Sequence, residues 1–351
     1  MRRRERQLTP PRPRSSLCAP EATAFAGSRE RAALAVRALR TSGPLLALLG
    51  LALGFTLADS GFATLSNLRV ILDGAAVPLV LAVGMTFVIR QGSIDLSVEG
   101  VMAACSLAFA IAVAHDRTPF GLGFLGVPAA AALGGAFGMV TGLIVTRLRM
   151  PSFMASLGLG SISLGIAMLL SGDQPPLIRD PALRQWGLGQ TLGVSNLALA
   201  AGACLVAGLF VERYTRLGRY SYAVGGAEDA ARASGIDVDR WKVLVFAFAG
   251  ITAGFAAAME SARLGLGHVE IGTGRTLGTI TAVVIGGTLL TGGSGSVLGS
   301  AVGVLVLVVL ANGMVFVGLS PFLQKAVQGG IVLVAVVATG WHLRDRVRVV
   351  K

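Results

Sequence analysis

Charged residues are scarce in this chain: they make up 14% of its 351 residues, whereas 54% are hydrophobic. A soluble protein usually carries about 25% charged residues, so this chain has too little charge to cover a surface that faces water. Apolar sequence continues from Pro44 to Trp341 with short interruptions, and a bilayer core requires runs of about 20 apolar residues. The composition predicts a multi-pass membrane protein and excludes a disordered chain, a secreted disulfide scaffold and a cytosolic enzyme.

Lysine, histidine and cysteine are also rare, with three of each. None of the lysines (Lys242, Lys325 and Lys351) follows a glycine, which excludes the Gly-Lys-Ser/Thr loop that holds phosphates in many ATP-hydrolysing proteins. The histidines and cysteines are dispersed, so we expect free thiols, no metal site and no cofactor. Because the sequence pairs no nucleophile, acid or base with a suitable companion, we do not expect an enzyme.

Arginine provides most of the positive charge in a net charge of +12. Its distribution over the tails and two loops suits membrane orientation better than nucleic-acid binding, which needs a concentrated basic face. Residues 1–43 hold ten arginines and four prolines and are predicted to form a disordered, basic cytoplasmic tail. Residues 44–341 are predicted to be the transmembrane domain, and residues 342–351 a second basic cytoplasmic tail.

Glycine, proline and charged residues separate ten apolar runs. Some runs are shorter than a full crossing, notably 279–291, and glycine interrupts several, which favours half-helices or re-entrant segments that line a protein cavity. We therefore predict an all-α, polytopic membrane protein with about ten transmembrane helices, including broken or re-entrant segments. Glycines such as Gly134 and Gly138 are predicted to let helices pack closely. The runs are 44–58, 70–89, 94–114, 124–146, 153–170, 192–211, 243–262, 279–291, 297–317 and 322–341.

The loops that alternate with these runs predict an orientation. With the amino terminus inside, 23 of the 30 lysines and arginines fall on the cytoplasmic side. Because cytoplasmic loops carry the excess of positive charge in membrane proteins, we expect both termini in the cytoplasm.

Residues 212–242 are the longest polar stretch between runs, and they predict a short cytoplasmic helix over 227–235. Acidic residues stand in its first turn, alanines follow, and Gly235 provides the stop. A helix this short is marginal alone, so we expect support from the protein's own face or from a partner's groove.

A second polar stretch, residues 84–100, joins two apolar runs. Gly92 permits a bend there, and Asp95 or Ser93 can cap the helix that follows. Alternatively, these polar groups and Glu99 face a water-filled path, since ionisable groups inside membrane segments usually mark one.

Several motifs, taken in one order along residues 65–338, resemble the membrane permease of ribose/xylose/galactose-type sugar ABC importers, the inner-membrane component of a binding-protein-dependent transport system. Motifs that recur in the same order are far more specific than any single one. They are Gly-Met-Thr-Phe-Val at 84–88, Ile-Asp-Leu-Ser at 94–97, Met-Pro-Ser-Phe at 150–153, Gly-Arg-Tyr at 218–220, Gly-Gly at 225–226, Ala-Ala-x3-Gly-Ile at 230–236 with Arg240, Val-Val-Ile-Gly-Gly-Thr at 283–288, Gly-Gly at 292–293 and Asn-Gly at 312–313.

The resemblance implies a permease subunit in the bacterial inner membrane, surrounded by lipid, that forms the path for a pentose or hexose. It also implies three partners: a periplasmic binding protein that delivers the sugar, a separate cytoplasmic ATPase, and a second permease copy, either identical or a close paralogue. Two stretches depart from the family's pattern. Residues 275–279 lack the acidic residues that are common there, and Glu99-Gly100 stands where small residues are usual.

The resemblance also suggests site residues. The ATPase-coupling residues are predicted to be Glu228, Asp229, Ala230, Ala231 and Gly235. The predicted substrate path comprises residues whose hydroxyl, carboxylate, amide or aromatic groups suit a sugar, although helix capping or interhelical bonding is at least as good an explanation for each of them. They are Ser93, Asp95, Ser97, Ser152, Phe153 and Asn312.

Other transporters stay open at this stage. One is an ABC permease for another small polar solute, such as a nucleoside, a polyol or a branched-chain amino acid. Another is a secondary transporter driven by an ion gradient, which also uses broken helices and polar groups at the membrane midplane. The scarcity of acidic residues inside the apolar runs disfavours the ion-driven mechanism.

Overall fold

The structure is a computed structural model that describes residues 43–113, 121–320, 322–324, 326–327, 329–331 and 333. The chain divides into residues 1–43 and 44–351, and all described residues except Gly43 belong to the second unit. The two predicted cytoplasmic tails therefore lie outside the described residues, again except for Gly43.

Helices make up nearly all of the described structure. A two-stranded antiparallel hairpin, β1 (Gln190–Thr191) with β2 (Val194–Ser195), interrupts them, and helical residues recur between 322 and 333. The α-helices are α1 (Gly43–Ala58), α2 (Leu65–Arg90), α3 (Val98–Ala112), α4 (Gly126–Arg147), α5 (Ser152–Ser171), α6 (Pro181–Leu188), α7 (Asn196–Tyr214), α8 (Arg216–Gly226), α9 (Glu228–Ala233), α10 (Val238–Leu264), α11 (Arg275–Ile285) and α12 (Val297–Phe316). Short 3₁₀ helices cover Ser60–Ala63, Gly123–Leu125 and Val269–Gly272.

Among the described residues, six helices are long and apolar enough to cross a membrane: α2, α4 with its preceding 3₁₀ turn, α5, α7, α10 and α12. Helices α1 and α3 are apolar but shorter, and α11 has 11 residues. The predicted fold class, an all-α polytopic membrane protein, is thus confirmed. The count of about ten crossings stays a prediction.

Several helices begin before the apolar run that predicted them. Helix α2 begins at Leu65, where Thr64 accepts a hydrogen bond from the Asn67 amide. Helix α10 begins at Val238, where Asp237 accepts from the Arg240 amide. A polar first turn with a side-chain cap satisfies the free amides of a helix start, and apolar periodicity does not detect it.

Close packing of α4 against α10 depends on glycine, as the sequence predicts. A Cβ atom at Gly134 would overlap the backbone of Gly250 and Gly254, and one at Gly138 would overlap the backbone of Phe246. In lipid, such close approach is a main source of attraction between helices. Helices α2 and α10 supply most of the buried apolar side chains around which the other helices pack.

Helices α3 and α11 are each too short to cross a bilayer. Helix α3, with 15 residues, is about 22 Å long, and α11 with 11 residues is about 16 Å long, against a bilayer core of about 30 Å. Residues 91–97 before α3 contain no regular helix or strand. These segments match the prediction of broken helices, and they place irregular backbone inside the bundle.

Candidate functional site

A cavity of about 700 Å³ joins the two regions that the sequence singles out. It lies at the end of the bundle where α10 begins, which we call the α9 end. Its walls come from the residues after α2, the α4–α5 connection, α9 and the first residues of α10. The lining includes Gly92, Ser93, Ser152, Glu228, Asp229 and Lys242.

Helix α9 has the position and the termination predicted for the 227–235 segment. After Ala233 the chain turns through Gly235, whose φ is +80°, and the amides of Gly235 and Ile236 donate to carbonyls of the helix, both at 3.1 Å. Among the described residues, no atom beyond Gly235 and its two chain neighbours lies within 4 Å of the position that a Cβ would take there. Glycine is therefore favoured there by its left-handed backbone conformation and not by lack of space.

Ion pairs fasten α9 to the start of α10. Glu228 contacts Lys242 at 2.7 Å and Arg232 at 3.3 Å, and Arg232 contacts Asp239 at 2.9 Å. Partial burial raises the pKa of the Glu228 carboxyl, but the hydrogen bonds and charges of Lys242 and Arg232 outweigh burial, so the pKa lies below its ordinary value. Hydrogen bonding to Asp239 raises the pKa of Arg232.

The predicted coupling residues divide into two groups. Ala231 is buried against Val224, Val238 and Ile236, and Glu228 is held by its ion pairs, so both attach α9 to the protein itself. Asp229, Ala230 and Gly235 are exposed. The structure thus provides the support that a helix of six residues needs, and it leaves one face of α9 open to solvent.

The irregular segment 91–97 lies against the first turns of α5. The Ile94 amide donates to Ser152 Oγ at 3.0 Å, and the Leu96 amide donates to Ser156 Oγ at 2.9 Å. Backbone inside a membrane protein must find such partners because lipid offers none. The sequence predicted Ser152 as a path residue but missed Ser156. The sequence feature that could have identified Ser156 is its position one helical turn after Ser152.

Asp95 does not cap the amides of α3, contrary to one of the two sequence-based interpretations. The helix begins at Val98, and the side chain of its N-cap residue, Ser97, makes no capping bond. Asp95 Oδ1 instead accepts from the Ser97 amide at 2.8 Å and from Ser97 Oγ at 2.6 Å. The Asp95 carboxylate therefore closes a local turn onto Ser97, two residues further along the chain.

Five of the six predicted path residues gather around this segment. Ser93, Asp95 and Ser97 are buried, and on α5 Ser152 is half-buried while Phe153 is exposed. The sixth, Asn312, belongs to a different helix pair: its Oδ1 accepts from Asn67 Nδ2 at 3.0 Å, between α12 and α2. Asn312 therefore makes an interhelical hydrogen bond, one of the explanations that the sequence left open for it.

A buried arginine at the end of α2 was not among the predicted site residues. Arg90 donates to Glu212 at 2.5 Å, to Ser221 Oγ at 2.9 Å and to the Gly218 carbonyl at 3.1 Å. Glu212 in turn accepts from the Val297 amide at 3.1 Å. This cluster, the Arg90 cluster, joins α2, α7, α8 and α12 at the α9 end. In the sequence, Arg90 stands out only as one positive charge at the end of an apolar run, and nothing there indicates its partners.

The comparison with known families agrees with this arrangement. Residues 68–336 match a family described as the permease component of branched-chain amino acid transport systems.

The chain belongs to this permease family. Among its relatives, the ribose import permease protein RbsC of Escherichia coli (strain K12) is 38% identical over 296 residues, covering 83% of this chain and 91% of the relative. The L-arabinose ABC transporter permease protein AraH of Azospirillum brasilense is 30% identical, covering 88% and 90%. A probable ABC transporter permease protein, YphD of Escherichia coli (strain K12), is 35% identical, covering 86% and 90%.

Proposed function

We propose that this permease is the membrane subunit of an ABC importer for a sugar, with pentoses as the first candidates. The observation that carries the proposal is the similarity to ribose and arabinose permeases over more than four fifths of the chain. The helical bundle, its broken helices and its exposed α9 face all suit a conduit that takes its energy from another subunit.

The exposed face of α9 is where we propose that the ATPase binds. Asp229 and Ala230 offer a small surface with one negative charge, and Gly235 fixes the exit of the chain. The ion pairs of Glu228 and the burial of Ala231 make α9 rigid relative to α10. Movement of a docked ATPase would then move α10 as a rigid body, which is a common form of conformational switching.

The Arg90 cluster provides a second route from the ATPase to the path. Helix α8 precedes α9 directly, and Arg90 connects α8 to the end of α2, immediately before the irregular segment 91–97. A displacement of α8 would therefore reach the residues that we propose as the path. The contacts with sugar along this path need only be weak, because a tight site would retain its cargo.

The orientation and the partners follow from the same reasoning. We propose that the α9 end faces the cytoplasm with the ATPase, that the opposite end receives the periplasmic binding protein, and that a second permease copy completes the channel. The concentration of arginine in residues 213–240 supports a cytoplasmic location for the α9 end.

Reconstitution tests the proposal. Proteoliposomes would contain the permease with its ATPase, with ATP inside and the sugar-loaded binding protein outside, and labelled ribose and arabinose would be the probes. We expect accumulation that disappears when the ATPase, ATP or the binding protein is omitted. Accumulation driven by a proton or sodium gradient without the ATPase would contradict the proposal.

Branched-chain amino acids are a second candidate cargo because the description of the matched family names them. The same proteoliposomes distinguish the two. ATP-dependent accumulation of leucine with no accumulation of either pentose would favour the amino acid.

A further inference from the structure

Helices α3 and α11 begin beside one another inside the bundle. The Thr276 amide, in the first turn of α11, donates to Glu99 Oε1 in the first turn of α3 at 3.3 Å. The chain reaches this point by re-entering the bundle along α3: the His268 amide donates to Ser106 Oγ at 3.0 Å, and Gly272 packs on the backbone of Glu99. Meeting points of broken helices commonly form the solute sites of membrane transporters.

Charged groups of both signs surround this meeting point. Glu260 Oε1, on α10, accepts from Arg263 at 2.6 Å and from Arg275 at 3.5 Å, and Arg263 also lies 3.5 Å from Asp73. The Glu260 side chain is 7% exposed. Because guanidinium groups compensate the carboxylates, the surroundings suit an uncharged cargo better than an ion.

Two buried polar atoms at this point have no hydrogen-bond partner among the residues that the structure describes. They are Oε2 of Glu260 and Oγ1 of Thr276, and these residues are 6% and 4% exposed. An unpaired buried polar atom costs about 1–3 kcal/mol, and native structures contain few of them. The other threonines of α11 differ: Thr279 Oγ1 donates to the Arg275 carbonyl, and Thr281 Oγ1 to the Leu277 carbonyl, both at 2.7 Å.

We propose that Glu260, Arg275 and Thr276 form a hydroxyl-binding subsite for the sugar during its passage. The inference rests on the proposed function and adds a location that the sequence did not predict. A carboxylate oxygen accepts from a sugar hydroxyl, a guanidinium donates to one, and a threonine hydroxyl does either. An aliphatic amino-acid side chain would leave the same atoms unpaired. The residues of segment 93–97 that were predicted as path residues largely bond to the protein itself.

Replacing Thr276 by valine tests the subsite because the change removes the unpaired hydroxyl and keeps the shape. If the hydroxyl binds sugar, Thr276→Val should lower ATP-dependent uptake of ribose or arabinose by about 3- to 10-fold, the loss of one ordinary hydrogen bond. The melting temperature should be unchanged or higher, since no protein bond is lost. Thr276→Ser, which keeps the hydroxyl, should restore uptake.

Thr279→Val is the matched control, since it removes a buried hydroxyl on the same helix that bonds within the helix. It should leave uptake nearly unchanged. If Thr276→Val takes up sugar as fast as wild type, the subsite is overturned. It is also overturned if the melting temperature of Thr276→Val falls enough to account for the lost uptake, because the hydroxyl would then be structural. If the wild-type complex imports neither pentose, the proposed function fails first, and the subsite fails with it.

Discussion

Breaking the ion pair between Arg90 and Glu212 should destabilise the permease more than removing both charges. Their side chains are 3% and 18% exposed, with 2.5 Å between nitrogen and oxygen. Removing one partner of a buried pair typically costs about 3–5 kcal/mol, because the remaining charge stays buried without compensation. We expect Arg90→Met to cost about 3 kcal/mol, the low end of that range, because Glu212 is partly exposed.

The double variant Arg90→Met/Glu212→Gln distinguishes this explanation from loss of packing. Glutamine removes the uncompensated charge and still accepts from the Val297 amide, so the double variant should be more stable than Arg90→Met alone. The assay is thermal unfolding of the purified permease in detergent, for wild type, both single variants and the double variant. If the double variant is less stable than Arg90→Met by the full cost of Glu212→Gln, the destabilisation of Arg90→Met does not come from the uncompensated charge of Glu212.

Three further perturbations test the exit of α9, the packing of α4 against α10 and the ion pairs of Glu228. Gly235→Val forces a β-branched residue to a φ of +80°, at a cost of about 1–2 kcal/mol, so uptake should fall while ATP hydrolysis continues. The control is Gly226→Ala, because a Cβ at that position meets open space. Equal uptake in the two variants would contradict the role of α9. The added methyl group of Gly250→Ala would overlap the backbone of α4 and should lower the free energy of unfolding by about 1–3 kcal/mol. The control is Gly165→Ala, because a Cβ at that position meets open space. Equal melting temperatures of the two variants would contradict the role of glycine in packing α4 against α10. Because the folded-state pKa of Glu228 lies below 4.5, its ionised form stabilises the protein above that pH, and the contribution is lost as the pH falls through the folded-state pKa. The difference in melting temperature between wild type and Glu228→Gln should therefore shrink in acid. A difference that stays constant with pH would argue against the ion pairs.

Features with a local cause were predictable from the sequence. Acidic residues, alanines and a glycine in series predict α9 and its end at Gly235, because capping and termination are decided within a few residues. The glycines of α4 likewise predicted close packing. Apolar runs located each long helix, but they missed polar first turns such as that of α2, which side chains before the helix stabilise.

Features that join distant parts of the chain could not be predicted in the same way. Arg90 and Glu212 are 122 positions apart, and each by itself looks like a charge at the end of a membrane segment. The same holds for Glu99 and Thr276, which lie 177 positions apart. The place of Asn312 on the substrate path stays a prediction, and the sequence could not identify the partner of its amide because Asn67 lies 245 positions away.

We propose that the α9 face receives the ATPase while the opposite end receives the binding protein. Photo-crosslinking tests this arrangement, with a photoreactive amino acid at Ala230 on the exposed face of α9, or at Leu192, which is 98% exposed in the hairpin between α6 and α7. In the assembled complex, we predict that position 230 crosslinks to the ATPase and position 192 to the binding protein. Crosslinking of position 192 to the ATPase, with none from position 230, would contradict the account.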